Sequence, residues 1–280
     1  MHIGSAGSDF EDWMDISKNS ILISIDGNKT NQTNKESFKK LINNKTIISY
    51  KNGKSKFFIT KDPDCSSLLE PDEKEFKNWY FSHRFKVKQK ITTKVVSINS
   101  FLKKNKIDYL DWLVIDVQGM DLKIIKSLKN EIKNNLSIID IEPGFFNFYK
   151  KGDKISEVFE YMSKKFEFGD MKFGYNFKLN NKNITKLEKK ILFRMNNPSK
   201  VYSNIIYFNK NSNLRIILLK IFYLTKNDKL FEARDIINQF SGKDVFLKEI
   251  SKEIDNKIRY KKIKYLLCFP FFLLKKLFKI

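Results

Sequence analysis

The chain has 280 residues, of which 41% are hydrophobic, so it can bury a core and is too apolar for wholesale disorder. Its net charge of +22 favours an anionic partner. Alternatively, the charge reflects a general use of lysine at solvated positions. Two distant cysteines exclude a disulfide framework and a CxxC metal site. With no signal-peptide pattern and no apolar run of about 18 residues, we expect a cytoplasmic protein without a membrane span.

Small residues open the chain at Gly4, Ser5, Ala6 and Gly7, where a strand would pass into a helix starting near residue 9. Only three residues precede Gly4, which predicts a very short first strand or an incomplete start. Residues 21–25 form an apolar run that predicts a buried strand, and Asp26 and Gly27 follow it. A glycine turn with an acidic strand end about 20 residues later predicts an α/β fold that binds an adenosine-type cofactor. The spacing leaves a nicotinamide dinucleotide and S-adenosylmethionine equally open.

The next segment mixes helix and strand patterns. Residues 34–43 predict a helix with Phe38, Leu41 and Ile42 on one side. Strands at 46–50 and 56–60 flank Asn52-Gly53, which is a hairpin-turn signal. Alternating apolar residues predict a strand over 86–98, and a short helix follows at 100–106.

Two strongly apolar runs follow, at residues 112–117 and 136–141, with a predicted helix at 120–130 between them. Continuous apolar strands that alternate with helices are typical of a mostly parallel sheet. Asp116 and Glu142 lie where these two strands end, which is where such folds place ligand-contacting groups. A helix cap at Asp116 and a simple strand end at Glu142 are the alternative interpretations. Whether Mg²⁺ assists these carboxylates stays open.

The remaining pattern divides the chain into residues 1–210 and a helical extension at 211–280. A helix at 155–165 precedes two strands, at 166–178 and 201–208, and the extension has helices at 214–224, 231–240 and 245–258. Residues 257–280 carry eight Lys or Arg and no acid around a ten-residue apolar run. This composition predicts contact with an anionic membrane surface, and packing on protein is the alternative.

Several segments together resemble the FkbM-type methyltransferases. Residues 111–122, DWLVIDVQGMDL, are similar to the family's strand-turn-helix signature, and residues 96–102 are similar to the short stretch before it. Residues 138–142 resemble the strand that follows, residues 64–71 the family's Ser-Ser loop, and residues 2–7 its opening glycine turn. The resemblance covers about residues 2 to 208.

The resemblance implies a Rossmann-like class I methyltransferase fold, with a seven-stranded sheet whose last two strands are antiparallel. It implies S-adenosylmethionine as cofactor and O-methylation of a sugar, glycan or related small hydroxyl acceptor. Gly4, Ser5, Ala6, Gly7, Asp26 and Gly27 would bind the cofactor, together with Asp64, Ser66 and Ser67 on a polar loop. Asp116 and Glu142 would be catalytic, as base or as hydrogen-bond partners of the acceptor.

Two other functions are weighed against this one. The first is a catalytically inactive methyltransferase fold that binds glycan or nucleic acid. The second is an RNA methyltransferase, which the positive charge suggests. Methyltransferases that act on base amino groups carry an Asn/Asp-Pro-Pro-aromatic motif after the fourth strand of their fold. Here the turn at the end of the strand predicted at 112–117 reads Asp116-Val-Gln-Gly instead. A nucleic-acid partner is therefore not favoured.

Overall fold

A computed structural model gives the fold over most of the chain. It describes residues 1–6, 8–27, 35–176, 178, 185, 187–188, 190–191, 198–240 and 245–277, and in the last range the side chains of 246–262. The chain divides into two compact units, Met1–Asn211 and Ser212–Ile280. The first unit holds both sheets, and the second is helical.

Ten strands and five α-helices are described in the first unit. The strands are β1 His2–Ile3, β2 Ile21–Ile25, β3 Lys40–Asn44, β4 Ile47–Ser49, β5 Gly53–Thr60, β6 Val87–Ser97, β7 Trp112–Ile115, β8 Ile138–Ile141, β9 Phe166–Asn176 and β10 Ser199–Asn209. The helices are α1 Glu73–Phe76, α2 Ile98–Lys104, α3 Asp121–Ser127, α4 Asn130–Asn135 and α5 Ile155–Lys165. A 3-10 helix, Glu11–Asn19, connects β1 to β2.

The main sheet has seven strands in the order β3-β2-β1-β7-β8-β10-β9. The first five pair in parallel, whereas β10 is antiparallel to both β8 and β9. This confirms the Rossmann-like α/β fold and the antiparallel final pair. Alternate strand residues such as Ile3, Leu113 and Ile139 share one buried cluster with Leu122 of α3 and Val158 of α5, so these helices cover one face.

Two predictions in the segment before β5 are wrong. Most of the helix predicted at 34–43 is instead a 3-10 turn at Lys35–Ser37 and the edge strand β3, which pairs in parallel with β2. The predicted hairpin at Asn52-Gly53 does not pair β4 with β5. Both strands pair with β6 in a separate sheet of order β4-β6-β5. In each case a partner that is distant in sequence decides the structure.

The second unit has three described helices, α6 Leu214–Lys226, α7 Leu230–Phe240 and α8 Val245–Leu277. Asn213 caps α6, because its Oδ1 accepts the Ile216 N–H at 2.9 Å. Ile221, Ile237 and Ile254 are among the residues buried within this unit. No helix in the described part of the chain has the length and apolar content needed to cross a membrane.

Candidate active site

Four neighbouring strands of the main sheet end level with one another. Ile3 pairs with both Ile25 and Ile115, and Ile115 pairs with Ile141. The next residues along these strands are Gly4, Asp26, Asp116 and Glu142. Because parallel strands share one carboxyl edge, the register brings the glycine turn and three carboxyl groups to that edge.

The glycine turn packs directly against the end of β7. Gly4 has a φ of +79°, and a Cβ at this position would lie 1.7 Å from the Asp116 carbonyl oxygen. Its N–H donates to the Ile25 carbonyl at 2.9 Å, and the Ala6 N–H donates to Asp26 Oδ2 at 3.1 Å. The turn and the acidic end of β2 are therefore joined by hydrogen bonds, and only glycine fits at the first position.

The turn forms one wall of a cleft of about 730 Å³, here called the first cleft. A polar loop between β5 and α1 forms part of the opposite wall, where Asp64, Ser66 and Ser67 line the same space as Asp26 and Asp116. The Ser67 hydroxyl donates to the Gln118 carbonyl at 2.8 Å, and Ser66 Oγ accepts the Thr60 N–H at 3.2 Å. Backbone and polar side chains from two separate segments of the chain therefore line the first cleft.

Three carboxyl groups, Asp26, Asp64 and Asp116, face the first cleft, and no Lys or Arg lines it within the described residues. The pKa of Asp116 is raised to about 6, mainly by burial; the hydrogen bond from Gln118 opposes this rise, and repulsion from Asp64 and Asp26 adds to it. In a chain of net charge +22, this cleft is a locally acidic site that suits a cation.

A second cleft, of about 1150 Å³, opens on the other side of Asp116. It shares Asp64, Asp116 and Gln118 with the first cleft and adds Glu142 from the end of β8. Burial raises the pKa of Glu142 to about 9, with repulsion from Asp116 and Asp121 adding to the shift. Burial and these neighbours therefore favour the protonated form of Glu142, which can donate a hydrogen bond.

Aromatic side chains form the far wall of the second cleft. Phe146 and Phe148 lie 4.4 Å apart between ring centroids, and Phe146 stacks on Trp79 at 5.2 Å. Arg84 also lines this cleft, with its Nε 2.6 Å from Asp62 Oδ2. This wall comes from the β5–β6 connection and the loop after β8, two segments that are far apart in sequence.

The structure brings most of the residues singled out from the sequence to these clefts. Gly4, Ala6, Asp26, Gly27, Asp64, Ser66, Ser67 and Asp116 line the first cleft, and Asp116 and Glu142 line the second. Ser5 is different, because it is buried with its Oγ 2.9 Å from Ser24 Oγ and supports the turn from behind. Gly7 lies outside the described residues.

Sequence reasoning missed Gln118 and Tyr149 as site residues and missed the aromatic wall. The only available signal was the Gln in the turn motif at 116–119, whereas Tyr149 carries no local pattern. Within the described residues, no group of three or more His, Cys, Asp or Glu side chains is arranged to hold a metal ion.

Comparison with known proteins gives one match, to a family model. No curated protein and no solved structure matches the chain. The model of the methyltransferase FkbM domain matches residues 12–177, which is more than half of the sequence and includes Asp26, Asp116 and Glu142. The chain therefore belongs to the FkbM methyltransferase family.

Proposed function

We propose that the chain is an S-adenosylmethionine-dependent O-methyltransferase that acts on a hydroxyl group of a sugar, glycan or related small acceptor. The observation that carries this proposal is the register of Gly4, Asp26, Asp116 and Glu142 on one sheet edge, with a cleft on each side of Asp116. One cleft would hold the methyl donor and the other the acceptor, so Asp116 lies between them.

The acidity of the first cleft favours a cationic donor over a dinucleotide. S-adenosylmethionine supplies an activated methyl group on a positively charged sulfonium when it is bound. Asp26, Asp64 and Asp116 attract such a cation and would repel a pyrophosphate. Gly4 and Ala6 would border the donor with backbone, and Asp26 and Gly27 would lie against its ribose, with Ser66 and Ser67 on the opposite wall.

The chain's contribution to the transfer is alignment and acid–base chemistry. Asp116 would accept the proton of the acceptor hydroxyl, because its pKa of about 6 leaves it largely ionised at neutral pH. Glu142, with a pKa of about 9, would stay protonated and donate a hydrogen bond to an acceptor oxygen. Phe146 and Phe148 give the acceptor an apolar surface and keep water from that side.

Calorimetry with S-adenosylmethionine tests the donor site. We expect micromolar affinity for the full chain and a loss of at least about tenfold in Asp26→Ala, the size of one charge-assisted contact. Asp108→Ala removes the same charge from an exposed position before β7, at the other end of the strands, and should bind as the parent does. Absence of binding by the full chain would overturn the proposal.

Transfer of a labelled methyl group to a panel of neutral sugars and glycans tests the reaction. Asp116→Asn should slow transfer by about 10² to 10⁴, as expected for removal of a general base. A chain that binds donor and acceptor and transfers nothing would instead be the inactive binding module.

We also propose that residues 257–280 attach the protein to anionic membrane surfaces from the cytoplasm. Eight basic residues without an acid surround an apolar run at 265–274, and the backbone is helical to Leu277. Replacing Lys264, Lys275, Lys276 and Lys279 with Gln should abolish co-sedimentation of the full chain with phosphatidylserine vesicles. The same change at four exposed lysines of β5 and β6, Lys54, Lys56, Lys88 and Lys90, is the matched control. Equal loss in both variants would show that charge alone binds the vesicles.

A further inference from the structure

Tyr202 lies on the wall of the second cleft with a glycine on each side. It pairs with Gly174 of β9 on one side and with Gly144, which follows β8, on the other. A Cβ on Gly174 would lie 2.1 Å from Tyr202 Cζ. A Cβ on Gly144 would lie 2.5 Å from Cδ2 of the Phe148 ring. At both positions any other residue would displace an aromatic ring of the cleft, so the glycines permit a close approach that a side chain would prevent.

The Tyr202 ring lies across the backbone of β9 with one face covered. Its Cζ and both Cε atoms fall within 2.6 Å of the Cβ position of Gly174, so the outer half of the ring sits over that residue. Tyr202 is nevertheless 36% exposed and lines the second cleft. Because the strand covers one face, the exposed area belongs to the opposite face and the edge of the ring. Tyr202 therefore presents a flat apolar surface to the cleft.

Polar groups surround the hydroxyl edge of this ring. Asn204 shares a face of β10 with Tyr202, and its side chain is hydrogen-bonded to the carboxyl group of Glu142. Burial raises the pKa of Tyr202, repulsion from Glu142 adds to the rise, and Arg84 opposes it. The Tyr202 hydroxyl is therefore close enough to sense both charged groups. Glu142 and Arg84 also line the second cleft.

A sugar ring matches this arrangement of one flat surface and a polar edge. The C–H hydrogens on one face of a pyranose carry partial positive charge and pack on the electron-rich face of an aromatic ring. Its hydroxyl groups project from the rim, where Glu142 and Arg84 can donate hydrogen bonds to them. An open-chain polyol has the same hydroxyl groups but no fixed C–H face, so it would gain much less from Tyr202.

We infer that Tyr202 is a specificity-determining residue of the second cleft, which selects a pyranose ring by stacking on its C–H face. Gly174 is the positioning residue that lets the Tyr202 ring lie flat. The inference rests on the proposed role of the second cleft as the acceptor site. It narrows the acceptor to a cyclic sugar, free or at the end of a glycan.

Saturation-transfer NMR of the donor-free full chain tests the inference, with protons only on tyrosine in an otherwise deuterated chain. The probes are the methyl pyranosides of galactose, mannose and rhamnose, each compared with its own alditol. Irradiation of the Tyr202 ring protons should transfer saturation to ring C–H groups of at least one pyranoside and to no alditol. Tyr202→Leu identifies the signal and should weaken binding of that pyranoside at least about tenfold. Tyr202→Phe keeps the ring and should stay within about threefold of the parent.

Gly174→Ala tests the positioning role while Tyr202 itself is unchanged. The added Cβ displaces the ring, so affinity for the same pyranoside should fall about tenfold. Gly169→Ala is the matched control, because Gly169 lies in the same strand and its Cβ would lie 2.5 Å from Cε2 of Phe208. Phe208 lines neither cleft, so this variant should bind as the parent does.

The results that would overturn the inference are distinct. They are a parent that binds none of the pyranosides, an alditol that binds as well as its pyranoside, and a Tyr202→Leu variant that binds as the parent does. Equal losses in Gly174→Ala and Gly169→Ala would overturn the role of Gly174. If Gly174→Ala does not fold, Tyr202→Leu decides, since Tyr202 is partly exposed. Because no donor is present, a chain that binds pyranosides but not S-adenosylmethionine would keep this inference and lose the proposed methyl transfer.

Discussion

The first and second clefts share Asp64, Asp116 and Gln118 but are built in different ways. The first is formed largely by the ends of β1, β2 and β7, whose register is set by the sheet ladder. The second takes most of its wall from connections, and it is held by aromatic packing around Phe148. The first cleft, which we propose for the donor, therefore depends on backbone geometry, whereas the second, which we propose for the acceptor, depends on side chains that could change without moving the sheet.

Gly4→Ala should give the largest effect, because it damages the backbone geometry on which the first cleft depends. The added Cβ would lie 1.7 Å from the Asp116 carbonyl oxygen, and alanine is strained at a φ of +79°. We expect donor affinity to fall more than about 100-fold and the free energy of unfolding to fall by about 2–4 kcal/mol.

Calorimetry and thermal unfolding measure both effects. Gly53→Ala is the control, since Gly53 also has a positive φ, of +139°, but a Cβ there meets nothing within 4 Å. Equal losses in the two variants would show that backbone strain, and not the contact with Asp116, accounts for the result.

Phe148→Ala should separate the two clefts. Phe148 packs on Phe76, Phe81, Phe85 and Phe146, so its removal leaves a cavity that costs about 3 kcal/mol of stability. Donor affinity should stay within about twofold of the parent, because Phe148 does not line the first cleft. Urea unfolding and calorimetry test this, with the exposed Phe168→Ala as control. A tenfold loss of donor affinity would show that the clefts are not independent.

Glu142→Gln should change how stability depends on pH. The folded chain keeps the Glu142 proton up to a pKa of about 9, whereas the unfolded chain loses it near the ordinary glutamate pKa of 4.5. The unfolded state therefore binds fewer protons between these values, and stability falls as the pH rises through that window. Glutamine removes this fall, so the variant should be more stable at pH 7–8 by on the order of 3–4 kcal/mol and nearly unchanged near pH 4.

Thermal unfolding of the parent and the variant, measured from pH 4 to pH 9, tests whether the stability of the parent falls over this range. Glu131→Gln, at an exposed position in α4, should reproduce the parent profile. A parallel profile for Glu142→Gln would mean that the carboxyl group of Glu142 is already ionised at neutral pH.

The contrast between strand ends and connections also explains which parts of the fold and site could be predicted from the sequence. The apolar runs that became β7, β8 and α5 were identified because their burial pattern is local, and Asp116 and Glu142 were identified because they directly follow such runs. β3 was predicted as a helix, because Leu41 and Ile42 fit either structure and the pairing with β2 decides between them.

The second cleft could not be predicted for the same physical reason. Tyr149 reaches the Cys65 carbonyl across 84 residues of sequence, and Trp79 stacks on Phe146 from the connection before β6. Such contacts follow from tertiary packing, and no spacing in the sequence encodes them. The hairpin predicted from Asn52-Gly53 is wrong for the same reason, because β4 and β5 both pair with β6, which is distant in sequence.

The aromatic wall on the connections has a consequence for engineering. Because residues 61–86 and 143–153 carry that wall while the strand ends stay in register beneath it, either connection is a place where a graft from a relative would exchange one acceptor for another. The transplanted loops would need to retain Tyr149, the Ser67 contact with Gln118, and Asp64 and Ser66, which line the first cleft. Under the proposed function, such a chimera would keep its methyl donor and modify a different acceptor.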